Sequence, residues 1–279
     1  MKIYQYILLF TTALFIACAD DNDPNPQPQD ETHDLILTKT LSNATHQIAI
    51  FTQTGIFHDG YNKMYLQLKD NNGSFINNAD LSWEPMMHME NMHHGGPHSQ
   101  ISRVSGKQTL YEGWIVFQMP GNAMESWYID FNYEVEGQNY GMESPIDVQP
   151  SPKRVVSVFQ GNDGVNYILA MIEPTAPKVA VNDMSAAIFK MGEMHDFPVV
   201  NGYQLKIDPR MPGMDNHGSP NNVDLTQGSD GFYHGKLSLT MTGYWKINLM
   251  LQNQNGEILK GEPVTDDNES SSIFFEIEF

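Results

Sequence analysis

Apolar and polar residues alternate one by one through long stretches of this chain. That period of two restricts it to β-structure with one buried and one wet face. Trp127, Ile129, Phe131, Tyr133 and Val135 alternate with Tyr128, Asp130, Asn132 and Glu134. Tyr203, Leu205 and Ile207 alternate with Gln204, Lys206 and Asp208, and Trp245, Ile247, Leu249 and Leu251 with Lys246, Asn248 and Gln252. Leu237, Leu239 and Met241 show the same pattern. Turn-forming residues punctuate the runs at 70–73, 120–122, 162–164 and 253–256, and no amphipathic helix pattern competes with them. The expected fold is all-β: two tandem immunoglobulin-like β-sandwich domains after a signal peptide and a disordered tether.

The expectation of two units rests on an internal repeat. Residues 111–121 align with 233–243, each opening Tyr-x-Gly and closing Met-x-Gly. A Trp-x-Ile follows each, at Trp127 and Trp245, and His94-Gly95-Gly96-Pro97 upstream matches His217-Gly218-Ser219-Pro220. Prolines in residues 144–152 are expected to interrupt strand pairing and part the units. The expected domains are 35–148 and 153–279.

Four methionines and four histidines crowd residues 86–98. Thioether sulfur suits Cu(I), and imidazole holds copper in either oxidation state. The candidate ligands are Met86, Met87, His88, Met89, Met92, His93, His94 and His98. A sparser run offers Met211, Met214 and His217 at the matching place in the second unit. Pro, Gly and Asn in both runs predict loops, where a rigid sandwich can gather ligands at one end. A plain surface loop is the duller reading, but for the first run it must account for eight donors at once. Zinc has little use for thioethers. Haem lacks a Cys-x-x-Cys-His attachment site. Met191, Met194 and His195 form a weaker cluster that reads as a loop. Met119 and Met241 continue apolar alternations and read as core, and Met64, Met171 and Met250 as structural. His33, His46 and His58 are isolated and expected in solvent. His234 is set aside because its repeat partner is Glu112.

Lys2, the short apolar run at 7–16 and the closing Ala17-Cys18 form an export signal too short to remain as a membrane span. Phe15-Ile16-Ala17-Cys18 resembles a bacterial lipobox, so residues 1–17 are expected to be removed and Cys18 acylated, anchoring the chain in envelope lipid. A cleaved secretory signal with an incidental cysteine is the alternative. Residues 18–34, rich in Asp, Asn, Pro and Gln, read as the disordered tether. The acidic stretch after Cys18 resembles surface-sorting signals, which points to the outer membrane with the leaflet left open. Cys18 is the only cysteine, so disulfides, thiolate metal sites and Cys nucleophiles are excluded from the exported part. A formal net charge of −19, with 15 Lys and Arg against 34 Asp and Glu, makes nucleic acid a poor partner. Acidity also attracts cations, and equally serves solubility.

Gly-x-Ser-x-Gly, phosphate-cradling loops and His-Glu-x-x-His are all missing from the sequence, so no enzyme is expected. The expected role is a copper carrier, buffer or tolerance factor, with a copper transporter or oxidase as partner. The alternative is a surface interaction or adhesion lipoprotein using its tandem sandwiches as spacers.

Met211-Pro212-Gly213-Met214-Asp215-Asn216-His217, followed after a short loop by residues 231–245, is similar to the YtkA-like/FixH-like group. The likeness covers about residues 203 to 251, and more loosely about 81 to 131, where extra Met and His are inserted. It implies a small extracytoplasmic β-sandwich near copper handling and copper-oxidase assembly. It implies no reaction.

Overall fold

The computed structural model describes residues 31–192 and 196–279. Cys18, the signal segment and the tether up to residue 30 lie outside the described residues, as do Glu193, Met194 and His195. Among the described residues, no helix is long and apolar enough to cross a membrane.

Strands follow the period-two runs. The first half supplies β1 (Ile36–Ser42), β2 (His46–Thr52), β3 (Phe57–His58), β4 (Gly60–Asp70), β5 (Asp80–His88), β6 (His93–Gly95), β7 (Ser102–Arg103), β8 (Tyr111–Phe117), β9 (Ser126–Val135), β10 (Gln138–Ile146) and β11 (Val148–Gln149). The second half supplies β12 (Val156–Gln160), β13 (Asn166–Glu173), β14 (Ala180–Lys190), β15 (Gln204–Met211), β16 (His217–Gly218), β17 (Val223–Gln227), β18 (Tyr233–Leu239), β19 (Tyr244–Gln252), β20 (Ile258–Lys260) and β21 (Ile273–Glu278), with one 3-10 turn at Pro212–Met214.

The chain is an all-β sandwich structure. In the first half, a sheet ordered β1-β2-β4-β8-β7 accompanies a second ordered β10-β9-β5-β6. The second half repeats the scheme: β12-β13-β14-β18-β17 matches the first sheet, and β15 and β19 with β16, β20 and β21 match the second. The halves differ in how their two sheets are joined. β7 pairs only with β8, whereas the longer β17 pairs with both β18 and β15 and joins the two sheets into one.

Each half closes over its own core. Ile48, Ile50, Leu66, Trp83, Phe117, Trp127 and Phe131 fill the first. Tyr167, Leu205, Tyr233, Trp245, Leu249 and Phe275 fill the second. The repeat's tryptophans play one part twice: the Trp127 indole N–H donates to the Met119 carbonyl at 2.9 Å, and Trp245 to the Met241 carbonyl at 3.0 Å. Met64 is fully buried, and Met119, Met171 and Met241 pack against these cores as expected. A third apolar cluster draws Tyr61, Trp114 and Val116 from the first half and Val156, Ile168, Ala187, Phe189 and Phe232 from the second. Residues 32–279 accordingly form one compact unit.

Three expectations need correction. Residues 31–34 form a turn, closed by Leu35 N–H donating to the Thr32 carbonyl at 2.8 Å, instead of the end of a disordered tether. Residues 144–152 do not break pairing: Pro145 lies inside β10, opposite Tyr128, and Val148–Gln149 pairs in parallel with β3. β10 is an edge strand, where a proline's missing N–H faces no neighbour. Pro85 and Pro209 escape the same penalty, because each sits where its strand has a ladder partner on one side only. Lastly, His46 is buried, not solvated. It lies 4.5 Å edge-on to Tyr140, and its Nδ1 is 3.2 Å from the Tyr133 hydroxyl.

Candidate metal centre

The first Met/His run is a β-hairpin, where a loop was expected. Met86, Met87 and His88 of β5 stand opposite Gly95, His94 and His93 of β6. Met89 N–H donates to the Met92 carbonyl at 3.0 Å, so Glu90 and Asn91 form the tip. Proline and glycine did not prevent the pairing because Pro85 precedes the two-sided part of β5, and Gly96 packs closely where a side chain would collide. A Cβ on Gly96 would come within 2.9 Å of the Val116 carbonyl and 3.3 Å of the Trp127 ring.

Pairing in a pleated sheet sorts the donors, because cross-strand partners share a face and neighbours along a strand do not. Met87, Met89, Met92 and His94 fall on the side of the core. Met87 is fully buried there, Met89 packs partly buried against the same cluster, and Met92 at the tip is 59% exposed. Met87 thus packs as a core residue. His94 is half-buried and meets the Trp127 ring edge-on at 5.4 Å. Its Nδ1 lies 2.9 Å from the Gly95 carbonyl. A carbonyl can only accept, so Nδ1 carries a proton, and in the neutral ring that leaves the lone pair on Nε2, an arrangement that suits a metal ligand.

Met86, His88 and His93 fall on the opposite, solvent side. The His88 and His93 rings are 4.6 Å apart between centroids, and His88 stacks on Tyr128 at 4.2 Å and 18°. His98 stands apart from both groups. Its Nδ1 is 2.9 Å from the Gly96 carbonyl, and its Nε2 lies 3.7 Å from a Glu84 carboxylate oxygen, four residues down β5 from His88. The eight expected donors therefore divide into an inward set, an outward set and His98. Sequence reasoning passed over Trp127, Tyr128 and Glu84. The alternation along β9 places Trp127 inward and Tyr128 outward, and that was the available signal.

The second run keeps only part of this geometry. Met211 pairs with His217 as Met87 does with His94, and Met211 is likewise core. The Pro212–Met214 turn is followed by Asp215 and Asn216 in left-handed conformation, φ 52° and 55°. Met214 and His217 are exposed. The adjoining cleft, of about 500 Å³, is lined by Arg210, Asp215, Asn216, Lys246, Asp266 and Glu269. Its surroundings are charged and oxygen-rich, not soft.

Among the described residues no three His, Cys, Asp or Glu side chains gather to hold a metal. No family model matches the chain, and no curated protein matches it.

Proposed function

We propose that this chain is an envelope lipoprotein, anchored through an acylated Cys18, that binds copper on the β5–β6 hairpin and buffers it or passes it to a transporter or oxidase. In this reading its halves are two tandem immunoglobulin-like domains of YtkA-like/FixH-like kind, and it carries no catalytic residues. The observation that carries the proposal is the shared inward face: Met89, Met92 and His94 fall on one side of the β5–β6 pleat, with His94 edge-on to Trp127. Two sulfurs and one nitrogen make a soft site. Met92, on an exposed tip, allows an ion to enter and leave. Met214 and His217 make a lesser site, because both are exposed and Met211, the other thioether of the run, is buried in the core.

The test is Cu(I) competition between the protein and a coloured chelator, with and without Met89→Leu and Met92→Leu. Absence of Cu(I) uptake at micromolar protein ends this reading.

A second reading, an interaction module, is favoured by the apolar edge of β1. Ile36 and Leu37 are 52% and 54% exposed on a strand with one free side, the kind of edge that accepts another chain. Capture of a protein or glycan partner in the presence of a chelator would favour it over copper.

A further inference from the structure

We infer that the outward face of the β5–β6 hairpin carries a second metal site, for Cu(II), held by the imidazoles of His88 and His93 and independent of the inward thioether set. The inference deepens the copper reading and rests on it for the choice of ion.

The geometry begins with register. His88 and His93 are direct cross-strand partners, so both side chains rise from the same face at the closest spacing a sheet offers. Their ring centroids are 4.6 Å apart. With an ion–nitrogen bond of about 2.0 Å, two imidazoles on one ion have ring centres roughly 4.5 to 5 Å apart. Both histidines can therefore reach one ion by turning their rings, with no movement of the backbone.

Two further features fit. The Tyr128 ring, lying nearly parallel to His88 at 4.2 Å, restricts that imidazole before any ion arrives, so less rotamer freedom is lost on binding. Neither His88 nor His93 is tied to a backbone carbonyl as His94 and His98 are. His93 is exposed and His88 half-exposed, so solvent water can fill the remaining positions of the ion.

The pleat of the hairpin then sorts metals by hardness. Nitrogen and water on the outer face suit Cu(II), and sulfur-rich ligation on the inner face suits Cu(I). Met86 lies on the outer face as well, but thioether adds little to Cu(II).

The duller account is an aromatic ladder, with His93, His88 and Tyr128 merely packing together. Phenylalanine keeps such a ladder and abolishes ligation, so His88→Phe and His93→Phe separate the two. The experiment is Cu(II) titration of the full chain followed by electron paramagnetic resonance, with Cu(I) competition run in parallel. The parent is expected to show one Cu(II) coupled to two imidazole nitrogens. Each Phe variant should lose one nitrogen and bind at least about tenfold more weakly. Met89→Leu combined with Met92→Leu should leave Cu(II) affinity unchanged, and His88→Phe should leave Cu(I) affinity unchanged. Parent-like Cu(II) spectra in both Phe variants would overturn the inference. So would loss of Cu(II) in the methionine variant, which would mean one shared site. Cu(II) binding without Cu(I) binding would end the carrier reading and leave this one standing; the converse would end this one alone.

Discussion

Met87 stands directly opposite His94 across the β5–β6 hairpin, and the two are nonetheless in different surroundings. Met87 is sealed in the core, while His94 is half-buried. One register thus gives a sealed packing residue and a half-buried imidazole at the same level of the sheet. The same pairing recurs between Met211 and His217, where the histidine is exposed.

Met87 is expected to act in stability and not in binding. Met87→Leu conserves volume and should cost less than about 1.5 kcal/mol, with Cu(I) affinity unchanged. Met87→Ala leaves a cavity and should cost about 2–5 kcal/mol. Denaturant unfolding and Cu(I) competition on the same variants check this. A tenfold affinity loss in Met87→Leu would make it a ligand.

Met92→Leu should show the opposite pattern. The side chain is 59% exposed, so its replacement should move stability by no more than about 0.5 kcal/mol. Removing its sulfur should weaken Cu(I) by roughly tenfold or more. Thermal unfolding of the metal-free variant, paired with competition titration, measures both quantities.

Much of the sandwich was legible in the chain because burial on one face writes itself as a period of two. β9, β15, β18 and β19 fall where the alternation put them. The hairpin at 86–95 was not legible, because its proline and glycines carry turn signals that position overrides: Pro85 on a one-sided stretch, Gly96 against the Val116 carbonyl. Once a loop was assumed, all eight donors looked free to converge. Only the register reveals that the pleat sends His88 and Met87 to opposite faces. His46 was misjudged for a related reason. An isolated histidine gives no sign in sequence of the Tyr133 and Tyr140 rings that enclose it, since both lie about ninety residues away.

The repeat's two Tyr-x-Gly glycines make a packing prediction. A Cβ on Gly113 would meet Trp83 at 2.6 Å, and one on Gly235 would meet the Val223 carbonyl at 2.3 Å. The Trp83 ring can shift slightly, but the backbone carbonyl on β17 cannot without breaking the join between the sheets. Gly113→Ala should cost about 1–3 kcal/mol by overpacking, and Gly235→Ala should cost more. Thermal unfolding of the two variants side by side tests the order.

Alkaline conditions should destabilise the second half. The Tyr233 hydroxyl donates to the Val200 carbonyl at 2.9 Å, and burial pushes this phenol up to about 12. Tyr244 donates to Glu276 at 2.6 Å, and burial together with that carboxylate raises it also to about 12. Both folded values lie above the ordinary tyrosine value of about 10. Their contribution is therefore whole below pH ~10 and is lost as pH rises from there towards 12. Denaturant midpoints should fall across that window, and Tyr233→Phe and Tyr244→Phe should each flatten the fall. An unchanged slope in both variants would assign the alkaline loss to other groups.

The third apolar cluster predicts how the halves unfold. Phe232 meets Trp114 at 5.5 Å and Tyr61 at 6.1 Å, both edge-on, and Trp114 also lies 5.7 Å from Phe189. These rings connect two cores that are otherwise separately filled. Truncating Phe232 should therefore weaken the connection and leave both cores intact. Phe232→Ala is expected to cost about 2–3 kcal/mol, less than for a fully buried phenylalanine because Phe232 is only partly covered. More telling is the shape of the transition: the parent should unfold in one step, and the variant in two resolved steps as each half melts on its own core. Calorimetry distinguishes these outcomes. A single, merely shifted transition in the variant would mean that cooperation between the halves does not pass through this aromatic contact.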